Sequence, residues 1–103
     1  MSAFSASDHY DSANPELLVA DGTLYVAWEE SSQYEGYFIY VAYWNADSGS
    51  WVIIGDRLNV SESNSSHDPS LAYSSTDGYL YVAFEEFTDG WPHIFVKRKS
   101  LSP

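Results

Sequence analysis

The chain contains itself twice, and that repeat constrains its fold more than any other feature. The segment Asn14-Pro15-Glu16-Leu17-Leu18-Val19-Ala20, continuing as Asp21-Gly22-Thr23-Leu24-Tyr25-Val26-Ala27-Trp28-Glu29-Glu30, returns later in the chain. It reappears as Asp68-Pro69-Ser70-Leu71-Ala72-Tyr73-Ser74 and Asp77-Gly78-Tyr79-Leu80-Tyr81-Val82-Ala83-Phe84-Glu85-Glu86. Ten of the seventeen aligned positions are identical, and Ser75 with Thr76 forms a two-residue insertion in the turn. Ile39-Tyr40-Val41 recurs as Ile94-Phe95-Val96, and Phe4-Ser5-Ala6-Ser7 aligns with Leu58-Asn59-Val60-Ser61, so the period is 54 to 56 residues. A period of this length is that of a supersecondary unit that cannot bury its apolar surface alone. The chain is therefore expected to be one domain, 1–103, made of two units at about 4–57 and 58–103.

Each unit reads as short strands joined by turn residues. Leu17 to Ala20 is a first strand, Asp21-Gly22 is a hairpin signal, and Thr23 to Glu29 is a second strand. Tyr37 to Trp44 is a third, apolar or aromatic at nearly every position, and Ser50 to Ile54 is a fourth, after the Asp47-Ser48-Gly49 turn. No segment carries a sustained helical period. A sheet with one solvated face alternates apolar and polar residues, whereas these strands are apolar on both sides, so both faces of each sheet are expected to be covered. The expected class is all-β: four-stranded antiparallel propeller blades, the second incomplete, completing a closed ring by association of copies.

These residues resemble the blade repeat of sialidase-like β-propellers, in the order Pro-x-Leu, Asp-Gly-x-Leu-Tyr-Val-Ala-Trp-Glu-Glu, Ile-Tyr-Val and a Gly-x-Trp turn. The turn Asn45-Ala46-Asp47-Ser48-Gly49-Ser50-Trp51 is similar to the family's Asp-box, Ser-x-Asp-x-Gly-x-Thr-Trp. It departs from that box in having Asn45 for the first Ser and in lacking one residue between Gly49 and Trp51. The resemblance implies a propeller and says little about chemistry. Propellers have about four to eight blades, so two units call either for a longer protein or for copies assembling into one ring, three chains giving six blades. The second is expected, with the missing outer strand supplied by Met1 to Ser7 of the same or a neighbouring chain.

Charge narrows the partners. Fifteen Asp and Glu stand against four Lys and Arg, and residues 1–96 carry all fifteen carboxylates with Arg57 as the one cation, a net of −14. Such a field repels phosphate backbones and anionic lipid, so neither nucleic acid nor a membrane surface is an expected partner. The other three cations, Lys97, Arg98 and Lys99, form a run expected at an exposed edge. Cysteine is absent, which removes disulfides, thiolate metal sites and a cysteine nucleophile. Met1 to Asn14 has no apolar core of a signal peptide and no run approaches a membrane span, so the chain reads as soluble, with any secretion signal already removed.

The pairs Glu29-Glu30 and Glu85-Glu86 invite a glycosidase reading, since two carboxyls about 5 to 9 Å apart cleave glycosidic bonds. Neighbouring strand residues point to opposite faces, however, so the pairs are expected to be solvated strand ends. A sialidase would need clustered arginines, and Arg57 and Arg98 are the only two. No catalytic residue, cofactor or metal is assigned. His9, His67 and His93 are expected to be solvated loop residues, and the oxygen donors Asp8, Asp11, Glu62 and Asp68 show no calcium-loop spacing. The connections between second and third strands are the candidate ligand site: Tyr34, Glu35 and Tyr37 in one unit, Asp89 and Trp91 in the other. Aromatics beside carboxylates are what a glycan-binding loop needs, and the competing role is to fill the contact between blades. The expected function is a non-enzymatic binding or structural scaffold whose partner is itself. The alternatives are a multivalent glycan-binding lectin and a remnant sialidase-like hydrolase.

Overall fold

The computed structural model describes residues 11–32, 36–55, 57–61 and 64–101. Tyr34, Glu35, the Met1 to Ser7 segment, Asp8, His9 and Glu62 lie outside them. The chain is all-β, with β1 Ser12–Ala20, β2 Thr23–Ser32, β3 Gly36–Asn45, β4 Ser50–Ile53, β5 Ser66–Ser74, β6 Tyr79–Thr88 and β7 Trp91–Ser100. They form two antiparallel sheets, a four-stranded sheet 1 in the order β1-β2-β3-β4 and a three-stranded sheet 2 in the order β5-β6-β7. No helix among the described residues is long and apolar enough to cross a membrane.

β1 begins at Ser12, five residues ahead of its expected start at Leu17, because the chain crosses its own proline without leaving the sheet. The register slips between Ala13 and Glu16, and again between His67 and Ser70 in β5. Pro15 and Pro69 have no N–H to give the ladder, so each is absorbed in a bulge. The residue before each proline, Asn14 (φ 53°) or Asp68 (φ 55°), takes the left-handed conformation that Asx side chains tolerate best. The hairpins follow the same chemistry. Asp21 (φ 51°) with Gly22 (φ 78°) and Asp89 (φ 55°) with Gly90 (φ 83°) both have the two positive φ values of a type I′ turn. The second hairpin corrects the expected connection that carries Asp89 and Trp91: it is a two-residue turn, with Trp91 already paired to Thr88.

The turn similar to an Asp-box is tied despite its departures. Asn45 Oδ1 accepts the N–H groups of Asp47 (3.0 Å) and Ser48 (3.3 Å), which does the work of the missing Ser. Trp44 and Trp51 then meet edge-on at 5.4 Å between centroids.

The two sheets pack face to face. Tyr25, Ala27, Ile39 and Val41 of sheet 1 meet Leu80, Val82 and Phe84 of sheet 2 in one buried cluster. The opposite face of sheet 1 carries a smaller cluster of Val26, Trp28 and Ala42, with Tyr40, Trp51 and Ile53 against it. Beyond β4 the chain continues along the outer edge of β3 as an irregular strap. Ile54 N–H donates to Val41 O and Leu58 N–H to Ile39 O, both at 2.8 Å. Asn59 clamps the rest: its Oδ1 accepts Ile39 N–H (3.0 Å) while its Nδ2 donates to Tyr37 O (3.1 Å) and Asn64 O (2.7 Å).

Candidate functional site: a carboxylate junction between the sheets

Three of the four paired glutamates are not solvated strand ends. Glu29, Glu30 and Glu86 are buried, Glu86 completely, and each is a hydrogen-bond hub. A strand that is apolar on both faces has nowhere to put a carboxylate except against N–H and O–H donors that replace its water.

Glu86, at the end of β6, gathers the connection leading into its own sheet. It accepts from Val60 N–H (2.7 Å), Ser61 N–H (3.0 Å), Ser66 Oγ–H (2.8 Å) and Asn64 Nδ2 (3.3 Å). Glu30, its counterpart, accepts from Ser12 Oγ–H (2.9 Å), the equivalent of Ser66, and from the Trp28 indole N–H (3.0 Å). Burial pushes the Glu86 carboxyl upward, but the Ser66 hydroxyl, the two backbone donors and Asn64 outweigh it and hold the group below the ordinary glutamate value.

Glu29 joins the two sheets. From β2 it accepts the Asp68 N–H (3.0 Å) and the His67 Nδ1–H (2.9 Å) of β5, together with Asn14 Nδ2 of β1. Asn14 Nδ2 also donates to Asp68 Oδ1 at 2.9 Å, so the two equivalent bulges are stitched side chain to side chain. Here too burial raises the carboxyl and is overcome by Asn14, Asp68 N–H and His67, for a net lowering.

His67 is thus no solvated loop residue. Its Nδ1 faces Glu29 and its Nε2 lies 3.0 Å from Ser65 Oγ, while its ring packs against Tyr37 (4.9 Å) and Phe87 (5.8 Å). An ionised Glu29 only accepts, so Nδ1 is the donor in that bond, and Nε2 and the Ser65 hydroxyl, each able to donate or accept, complete the chain. Ser65 Oγ in turn accepts the Tyr37 N–H at 3.0 Å. The hydroxyl, imidazole and carboxylate stand in the order of a hydrolase triad. The His67–Glu29 bond runs between the sheets, however, and a Cβ on Gly36 would come within 3.1 Å of the Ser65 hydroxyl, so the group is packed as a clasp.

Of the residues expected to bind a ligand, Tyr37 is drawn into this junction through His67. Asp89 and Trp91 sit apart at the β6–β7 turn, where Trp91 is 71% exposed. Arg57 and Arg98 also stay apart, the first over the Phe38 ring (3.9 Å) and the second over Tyr79 (4.2 Å). No group of three or more potential metal ligands forms among the described residues. No family model, curated protein or solved structure matches the chain.

The hubs left one signal in the sequence. Ser12 with Glu30 and Ser66 with Glu86 recur at equivalent places in both units, 18 and 20 residues apart because of the Ser75-Thr76 insertion, and a carboxylate repeated on a strand that is otherwise apolar on both faces has a structural partner.

Proposed function

We propose that the chain is a non-enzymatic β-propeller module that completes its ring by association of copies and serves as a binding or structural scaffold. One observation carries this reading. Through the repeat, Tyr25, Ala27, Glu29, Ile39 and Val41, which face sheet 2, correspond to Tyr81, Ala83, Glu85, Ile94 and Val96 on the outward face of sheet 2. Likewise Leu71, Leu80, Val82 and Phe84, which face sheet 1, correspond to Leu17, Leu24, Val26 and Trp28 on the outward face of sheet 1.

Each free face therefore matches one half of the junction already present. Sheet 2 of one copy packs on sheet 1 of the next, a head-to-tail contact that closes into a ring if the rotation allows. Both free faces leave large apolar residues exposed: Leu17 (66%) and Val19 (68%) on one, Ile94 (72%) and Val96 (60%) on the other. Three copies supply six sheets, within the roughly four to eight of known propellers.

Light scattering after size exclusion should show a closed multimer, and Ile94→Asp should reduce it to a folded monomer. A wild-type chain that stays a folded monomer at low micromolar concentration overturns the proposal. The exposed Trp91 beside Asp89 favours the lectin as the second reading. Binding to a densely displayed glycan that is lost in Trp91→Ala, with the multimer intact, would establish it through avidity of repeated weak sites.

A further inference from the structure

The two sheets differ at their outer edges. On β3, β4 and the strap occupy the edge: Val41 O takes Ile54 N–H, Ile39 O takes Leu58 N–H, and Asn59 covers Ile39 N–H and Tyr37 O. The equivalent positions on β7 are Pro92, Ile94, Val96 and Arg98. Leu101 N–H, an odd position like Phe95 and Lys97, points back to Gly78 O at 3.0 Å, so the even positions of β7 turn outward. No strand lies beside them among the described residues. Pro92 sits in this row, where its missing N–H costs the ladder nothing.

The slot has its own chemistry. In sheet 1, Ala42 and Trp44 lie opposite Ile53 and Trp51 of β4. Lys97 and Lys99 hold the equivalent places on β7, both exposed, with Arg98 between them on the other face. Below them a cavity of about 130 Å³ runs between the sheets, lined by Val41, Ile54, Leu58, Leu80 and Val82. Among the described residues the Lys97 ammonium reaches no carboxylate and donates only to Asn59 O, at 3.5 Å. Three of the four cations of a strongly acidic chain are thus gathered on the open edge strand β7.

We propose that the β7 edge is a strand-addition site for an extended acidic peptide that reads carboxylate, any residue, carboxylate, any residue, apolar residue. Running antiparallel to β7, its backbone bonds the outward groups of Arg98, Val96 and Ile94. The register of β4 on β3 places its two carboxylates opposite Lys99 and Lys97, where opposite charges attract across a strand pair, and its apolar residue opposite Phe95 beside the cavity. No two carboxylates in these 103 residues are spaced i and i+2, so the matching strand is not among them. A copy of β4 is equally unsuited, since it would set Trp51 and Ile53 against the two ammonium groups.

The test uses three fluorescent peptides and the whole chain: Ser-Glu-Val-Glu-Val-Ile-Ser, the same peptide with Lys for both Glu, and the acidic peptide with Pro between the Glu residues. By anisotropy at low salt, the first should bind at least tenfold tighter than either of the others and weaken as salt is added. Its binding should slow hydrogen exchange at the Ile94, Val96 and Arg98 amides. In the double variant K97E/K99E, whose changed side chains are exposed, the preference should reverse toward the Lys peptide. A circular-dichroism melt confirms that the variant is folded. Equal binding of all three peptides, no binding of the acidic peptide to folded protein, or acidic-peptide binding retained by K97E/K99E would each overturn the proposal. None of these outcomes depends on the mass of the multimer.

Discussion

Sheets 1 and 2 are built from nearly the same words, yet one is finished and the other is not. On β3 the strap takes up Tyr37 O, Ile39 N–H, Ile39 O and Val41 O, and Ser65 Oγ accepts Tyr37 N–H, while β7 has no strand beside it among the described residues and carries Lys97 and Lys99 where β3 has Ala42 and Trp44. The same contrast divides the carboxylates. Glu29 is buried and bonded by three donors from β1 and β5, whereas Glu85, its copy, is half-buried on the outward face of sheet 2. Matching sequence does not make matching surroundings, and the unmatched places are where a second polypeptide is called for.

The largest effect should separate the two members of one pair. Glu86→Ala strands two backbone N–H groups, a hydroxyl and an amide, at about 1 kcal/mol or more for each buried group left unpaired, so a loss of about 3 kcal/mol or more is expected. Glu85→Ala should stay within about 1 kcal/mol. At about 4–8 °C per kcal/mol for a domain of this size, thermal melts distinguish the two easily. Equal losses would show that Glu85 is also satisfied in the folded chain and would remove the contrast.

Acid should act next, and chiefly on the finished junction. Glu29 and Glu86 are held below their ordinary value in the folded chain, so their contribution is present above the unfolded glutamate value of about 4.3 and is lost as pH falls through the lower folded values. Melting temperature should therefore be level above about pH 5 and drop below it. Glu29→Gln should shrink that drop, because an amide does not titrate. A melting temperature that rises on acidification would contradict the assignment of Glu29 and Glu86 as ionised hubs.

The smallest effect sharpens the comparison at a single ring. Trp28 and Phe84 hold equivalent places, but only the indole donates, to Glu30. Trp28→Phe should cost about 1 kcal/mol for the lost hydrogen bond, measured by urea denaturation. The same substitution in Ser12→Ala protein should cost a different amount if both donors serve one carboxylate, since groups sharing a partner are not additive.

Much of the fold was legible because strands and turns are local consequences of residue order. Alternation, β-branched and aromatic runs, and Asp-Gly pairs at positive φ place the second, third and fourth strands, expected from Thr23, Tyr37 and Ser50, within one residue of their observed starts at Thr23, Gly36 and Ser50. β1 was read short because a proline looks like the end of a strand until the bulge at Asn14 is seen to absorb it. The candidate site was less legible. Tyr37 and His67 belong to different units, and nothing in either segment announces that a histidine will be held between Glu29 and Ser65.

What the residues alone determined, then, is the unit: its strands, its hairpins, its two apolar faces and the period at which it returns. The tertiary structure alone decided the fate of the two copies of Tyr-Val-Ala followed by an aromatic residue and Glu-Glu. In one copy the first glutamate is closed over by the next sheet, with Asn14, His67 and Asp68 turning their donors toward it. In the other no further sheet stands among the described residues to do the same, so the equivalent carboxylate on a nearly identical strand stays half in water. Burial and ionisation depend on which surface comes to lie opposite, and that is set by packing across the chain.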